Sequence, residues 1–151
     1  MGASLKFERF QMTTWPSKPR RKRVKIKSWR LRLENRYMNI LFVENHAIFA
    51  KVVTAQFLSQ YQVTIVPKIS DAWTLLSNGN FDSVLVDFDL DDGKGDELVK
   101  KIRAHELNIK VVAVSSHKRG NTALHKAGAD AICAKFEFSR IGTVIEQLCS
   151  Q

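Results

Sequence analysis

Cysteine is scarce in this chain. Cys133 and Cys149 are the two it has, and no C-x-x-C spacing joins them, so a disulfide scaffold is excluded. Long apolar runs are missing as well. None approaches the length that crosses a bilayer, and none near the N-terminus reads as a secretory signal. There is no internal repeat, and residues 38–151 contain no low-complexity block. The four histidines, His46, His105, His117 and His125, lack metal-ligand spacing and read as surface or helix-cap residues. What remains is an ordinary composition: 44% hydrophobic and 26% charged residues in a chain of 151. That is enough for one packed domain and too apolar for wholesale disorder. The simplest expectation is a soluble, cytoplasmic protein.

The net charge of +9 sits at one end. Residues 1–37 hold 12 Lys/Arg against Glu8 and Glu34, whereas residues 38–151 hold 12 Lys/Arg against 13 Asp/Glu. The basic pI therefore describes a leader, not a fold. The leader contains Pro16, Pro19 and the run Lys18-Pro19-Arg20-Arg21-Lys22-Arg23. Apolar and basic residues alternate from Val24 to Leu33, but the phase slips between Ile26 and Trp29, so no strand face is clean. Basic residues interleaved with Trp15, Trp29 and Tyr37 suit nucleic-acid binding by phosphate contact and stacking. An import-like cluster and attachment to an anionic membrane are two further functional readings. The plainest reading is a disordered tail, or an upstream stretch before a true start at Met38, where the composition changes abruptly to Ile40-Leu41-Phe42-Val43. A domain boundary is expected there, between residues 1–37 and 38–151.

From Met38 onward, short apolar runs alternate with amphipathic stretches. Ile40–Val43, Val63–Val66, Ser83–Val86, Val111–Val114 and Ala131–Ala134 read as five strands. The first is apolar without alternation, as in strands buried on both faces of a parallel sheet. Helices are expected over 46–59 (Phe49, Val52, Val53 and Leu58 near one side), around Trp73–Leu76 and around Leu98–Ile102. A fourth should end at Gly128. The fifth carries Ile141, Val144, Ile145 and Leu148 at i, i+3, i+4, i+7. Strict alternation calls for a doubly wound parallel sheet with helices on both faces, and such sheets bind ligands beyond the carboxyl ends of their strands.

Glu44 and Asn45 follow the first strand, Asp87 ends the third, Ser115 ends the fourth and Lys135 follows the fifth. These residues suit phosphoryl transfer onto a carboxylate. Asp87 has the chemistry of the nucleophile, carboxylate and amide oxygens suit Mg²⁺, and an ammonium and a hydroxyl suit the remaining phosphoryl oxygens.

Residues 38–151 resemble the receiver domain of bacterial two-component response regulators, in its stand-alone, chemotaxis-type form. Four motifs carry the likeness: Ile40-Leu41-Phe42-Val43-Glu44-Asn45-His46; Val84-Leu85-Val86-Asp87-Phe88-Asp89-Leu90 with Gly95; Val112-Ala113-Val114-Ser115-Ser116; and Ala127-Gly128-Ala129-Asp130 leading to Lys135. The resemblance implies a flavodoxin-like five-stranded sheet in the order 2-1-3-4-5. It implies phosphorylation of Asp87 by a histidine kinase or phosphotransfer protein. It also implies Mg²⁺ held by Glu44 (through water), Asn45, Asp87 and the backbone carbonyl of Asp89. Ser115 and Lys135 would contact the phosphoryl group and shift the surface around the fourth helix and fifth strand. With the sequence ending at Gln151, output is expected through a partner protein.

Departures from the family fall on the metal site and the output surface. Asn45 stands where a second acid is usual, Phe136 where a proline commonly follows the lysine, and Ile132 at the aromatic switch position. The Ser115-to-Lys135 span is also short.

Competing readings are a degenerate receiver acting as a constitutive binding module, a leader-driven nucleic-acid-binding protein, and a D-x-D phosphatase built on Asp87-Phe88-Asp89. The phosphatase motif belongs on a first strand with a later acid pair, which is absent. An EF-hand fails at Asp92 and Leu98. Asp91 and Asp92 read as a solvated loop before a helix. Cys133 and Trp73 read as packing residues.

Overall fold

A computed structural model of the chain describes residues 37–151. The basic run and the aromatic residues Trp15 and Trp29 lie outside the described residues.

Five parallel strands form one sheet: β1 Asn39–Val43, β2 Gln62–Val66, β3 Ser83–Val86, β4 Lys110–Ala113 and β5 Ala131–Ile132. Their spatial order is 2-1-3-4-5, as expected. Helices α1 Ala47–Phe57, α2 Ile69–Asn78, α3 Gly95–Ala104, α4 Lys118–Ala127 and α5 Ile141–Cys149 alternate with them.

Side chains of successive strand residues point to opposite faces, and the two cores follow that alternation. Ile40, Phe42, Leu85, Val112 and Val114 face α1 and α5, meeting Ala50, Val53, Ile141, Val144, Ile145 and Leu148. Leu41, Val43, Val84, Val86, Val111 and Ala113 face α2, α3 and α4, meeting Ala72, Leu76, Leu98, Val99, Ile102 and Leu124. Residues 40–43 are completely buried, which is why β1 reads as a continuous apolar run. Each such aliphatic side chain contributes about 1.5–3 kcal/mol by leaving water.

Val52 does not join Phe49, Val53 and Leu58 against the core but is 54% exposed. Neighbouring helix residues lie about 100° apart, so Val52 and Val53 cannot share one narrow stripe. Two elements are too short to carry a sequence period: a small antiparallel ladder pairing Asp89–Leu90 with Gly93–Lys94, and a 3₁₀ segment over Lys135–Arg140. The loop before α3 is also not merely solvated. Asp92 accepts hydrogen bonds from the backbone N–H groups of Ile69 and Ser70 at 2.6 and 3.0 Å, capping α2 from 22 residues or more away in sequence.

Candidate functional site

The carboxyl ends of β1, β3, β4 and β5 converge at one edge of the sheet. Val43 and Val86 are register partners, and Asp87 N–H donates to the Val43 carbonyl at 3.0 Å. Glu44 and Asp87, the next residues of their strands, therefore emerge side by side.

Lys135 joins them. Its Nζ lies 2.6 Å from Glu44 Oε2 and 3.2 Å from Asp87 Oδ2, and 5.0 Å from the centre of the Phe49 ring. The side chain of Glu44 is fully buried, that of Asp87 is 7% exposed and that of Lys135 is 18% exposed. Burial pushes the Glu44 carboxyl above the ordinary glutamate range. Lys135 and the His46 N–H, which donates to Glu44 Oε1 at 2.8 Å, pull it partly back. Two carboxyl groups thus share one ammonium in a mostly covered site, and one of them is the phospho-acceptor candidate.

Ser115 lies two residues beyond the end of β4, not at its last rung, and is buried. Its backbone is held at both polar groups by Asn121 of α4. Ser115 N–H donates to Asn121 Oδ1 at 2.8 Å, and Asn121 Nδ2 donates to the Ser115 carbonyl at 3.1 Å. The same carbonyl accepts the Lys135 N–H at 3.2 Å, so Ser115 and Lys135 are tied through the backbone. Sequence reasoning missed Asn121. An amide inside a helix, where such residues are unfavourable, was the available signal.

Two glycines let backbone crowd the site. A Cβ on Gly95 would stand 2.0 Å from the Asp87 carbonyl oxygen, and one on Gly120 would stand 2.5 Å from Ser115 Oγ. The N-terminal turns of α3 and α4 therefore reach distances that no other residue permits.

Asn45 is exposed, and its amide nitrogen donates to Asp91 Oδ1 at 3.3 Å. The Asp89 carboxylate is taken by Lys94 and by His117 Nε2, the latter at 3.0 Å, and these two contacts hold it below the usual aspartate range. His46 and His117 do cap helices: their Nδ1 atoms accept the backbone N–H groups of Phe49 and Gly120 at 3.2 and 3.0 Å. Cys133 is core packing, and Trp73 is half-buried beneath Lys101 and beside His105. No described peptide bond is cis, that between Lys135 and Phe136 included. Ile132 is 44% and Phe136 82% exposed.

Among the described residues no three His, Cys, Asp or Glu side chains form a metal-binding group. The carboxylates brought together at the Lys135 ammonium are Glu44 and Asp87. The remaining donors from the sequence reading are the Asn45 amide and the Asp89 carbonyl. An all-oxygen set of this kind fits Mg²⁺, with one negative charge fewer than a second acid at position 45 would supply.

The family model for the response regulator receiver domain matches residues 40–145. Two curated relatives align with the chain. The two-component response regulator-like protein APRR3 of Arabidopsis thaliana is 34% identical over 97 residues, 61% of this chain and 20% of its own. The swarming motility regulation protein RssB of Serratia marcescens is 33% identical over 101 residues, 65% of this chain and 46% of its own. The chain thus spans less than half the length of either relative. Among solved structures, the receiver domain of the sensor histidine kinase PA1611 from Pseudomonas aeruginosa PAO1 superposes with a TM-score of 0.68 at 23% identity, covering 76% of this chain and 99% of that one. That structure is described with a magnesium ion coordinated in its active-site cleft.

Proposed function

The chain belongs to the response regulator receiver domain family, and on that premise we propose that it is a phosphorylation-dependent signalling switch whose phospho-acceptor is Asp87. The observation that carries the reading is the Lys135 ammonium 3.2 Å from the Asp87 carboxylate, with Glu44 against the same ammonium.

An Asp87 oxygen attacks the phosphorus of a phosphohistidine on a histidine kinase or phosphotransfer protein. The P–O bond forms as the P–N bond breaks, and the histidine nitrogen leaves with the electron pair. Lys135 turns from the two carboxylates to a phosphoryl oxygen, and the Ser115 hydroxyl donates to another. Bound Mg²⁺ supplies charge neutralisation, and the residues proposed to hold it are Glu44 through water, Asn45, Asp87 and the Asp89 carbonyl. The Ser115 carbonyl and Lys135 N–H, already hydrogen-bonded, carry a shift at the site into α4 and β5. Output runs through a partner protein in the cytoplasm, and the chain turns over no substrate beyond its own acyl phosphate.

The test is the intact mass of the full chain after acetyl phosphate and Mg²⁺. One phosphoryl adduct is expected on the wild type, with none on Asp87→Asn or in EDTA. A folded wild type that gains no adduct overturns the reading.

It would then favour a second one, a binding module independent of phosphate. The Asn45 amide nitrogen is engaged with Asp91, and Lys135 already neutralises part of the Glu44–Asp87 charge without a metal.

A further inference from the structure

An amide side chain has two unlike ends. Its carbonyl oxygen can meet a cation such as Mg²⁺, whereas its NH₂ donates hydrogen bonds and cannot. Asn45 therefore serves a metal only if something decides which end is presented. A carboxylate at that position would need no such choice.

Asp91 makes the choice here. Asn45 Nδ2 donates to Asp91 Oδ1 at 3.3 Å, which engages the nitrogen and leaves the carbonyl oxygen as the open end of the amide. Asp91 is itself held in place. With Asp92 it forms the turn of the small ladder, between Leu90 and Gly93. The Asp91 N–H donates to the Pro67 carbonyl at 3.3 Å, and Asp92 fastens the same turn to α2 through Ile69 and Ser70. Val66, next to Pro67, accepts the Glu44 N–H at 2.9 Å. A closed path of hydrogen bonds thus runs from Glu44 through the β2–α2 loop to Asp91 and back to Asn45.

The neighbouring acids are already engaged. Lys94 and His117 take the Asp89 carboxylate, and backbone N–H groups take that of Asp92. No Lys, Arg or His among the described residues pairs with Asp91. Its charge is left for the Asn45 amide, and a carboxylate on the N–H side strengthens the carbonyl on the other as an acceptor.

We propose that Asp91 is the positioning residue for Asn45, orienting and polarising the amide so that its oxygen serves the Mg²⁺ site in place of the missing second acid. The role rests on the metal site of the switch reading, not on phosphorylation itself. Asp91 acts through Asn45 and supplies from behind the amide a charge that position 45 lacks.

The test titrates Mg²⁺ alone into the full ¹⁵N-labelled chain, with no phosphoryl donor, and follows the Glu44 and Phe88 backbone amides. Wild type should give a saturable shift. Asp91→Ala should weaken the fitted Kd about tenfold, and Asp91→Gly repeats the comparison should alanine disturb the turn. Asp91→Asn keeps an acceptor for the Asn45 NH₂ and should recover part of that loss. Glu146→Ala, which removes an exposed acid from α5, should leave Kd unchanged. The deciding comparison is made in Asn45→Asp, whose carboxylate presents an oxygen whichever way it turns. There Asp91→Ala should cost much less than in the wild type.

An equal loss in both backgrounds would make Asp91 a general charge and overturn the proposal. So would a Kd indifferent to Asp91→Ala, an Asp91→Asn as weak as the alanine variant, or a wild type with no saturable shift. A tighter Kd in Asp91→Ala would overturn it in favour of an Asn45–Asp91 pair that closes the site without a metal. The phosphoryl adduct is scored separately by mass, so a chain that binds Mg²⁺ as expected yet gains no adduct fails the switch reading alone.

Discussion

Lys135 is the residue on which the site's charge balance turns. Its ammonium is the cation that meets both Glu44 and Asp87, and Glu44 is a buried carboxyl held above its ordinary range by desolvation. Such a group binds its proton more tightly folded than unfolded. Its penalty is absent below its unfolded pKa and grows as pH rises through the folded value. Lys135→Met removes two of the influences that pull Glu44 down, so that penalty should deepen. Breaking a buried pair costs about 3–5 kcal/mol, and here protonation of Glu44 relieves part of it in mild acid. Urea midpoints measured from mildly acid to alkaline pH should therefore fall more steeply in the variant than in the wild type. Parallel slopes would show that Lys135 does not hold Glu44 ionised. The same exchange should also suppress the phosphoryl adduct on Asp87, because the cation that meets the incoming oxygens is gone.

At the scale of elements, caps and close approaches fix where the site residues stand. Asp92 caps α2 through two backbone bonds, and its carboxyl lies below the usual range because those N–H groups outweigh a desolvation that pushes it up. Its contribution is present above the unfolded pKa and lost as pH falls through the folded one. Asp92→Ala should cost about 1 kcal/mol at neutral pH, with the difference from wild type closing in acid, as read by thermal unfolding at both.

Glycines make a sharper contrast. Gly120→Ala would drive a methyl to 2.5 Å from Ser115 Oγ and 2.8 Å from Phe88 Cβ. It should destabilise by about 1–3 kcal/mol and slow adduct formation by displacing Ser115. Gly142 in α5 meets no atom closer than Gln60 Nε2 at 3.8 Å, so Gly142→Ala should instead stabilise by about 0.5–1 kcal/mol. Denaturant midpoints that move the same way for both would remove the packing argument.

Sequence made β1, β3 and β4 legible because parallel strands buried on both faces lose their alternation, and the residues just past them include Glu44, Asp87 and Ser115, whereas Lys135 opens the 3₁₀ segment beyond the half-exposed edge strand β5. It could not show the Asp89–Leu90 ladder, whose two-residue strands are too short to carry a period. Nor could it show that Asp92 serves a helix reached through the fold rather than the helix that follows it, or that Asn121 pins Ser115. Those depend on approach between segments that are distant in the chain.

For the whole molecule, the question is how two parts of opposite character share one chain. Among the described residues, the buried members of both apolar cores run from Met38 to Leu148, and the family match spans residues 40–145, whereas the charge excess lies in residues 1–37. Stability should therefore belong to one part and polyanion affinity to the other. Residues 38–151 alone should unfold in a single transition with the urea midpoint and slope of the full chain, since the slope follows the surface exposed on unfolding. The full chain should be retained on immobilised duplex DNA and elute at increasing salt, because each neutralised phosphate releases counterions. Residues 38–151 should pass through unretained. A lower midpoint in the shorter chain would move the domain boundary upstream of Met38. Retention of the shorter chain on DNA would relocate nucleic-acid binding onto the sheet-and-helix domain, where α4, with Lys118, Arg119 and Lys126 and no acidic residue, is the first surface to reverse. Equal midpoints with retention confined to the full chain would establish the leader as a separate basic arm. Its role would then be sought in the localisation of the switch rather than in its chemistry.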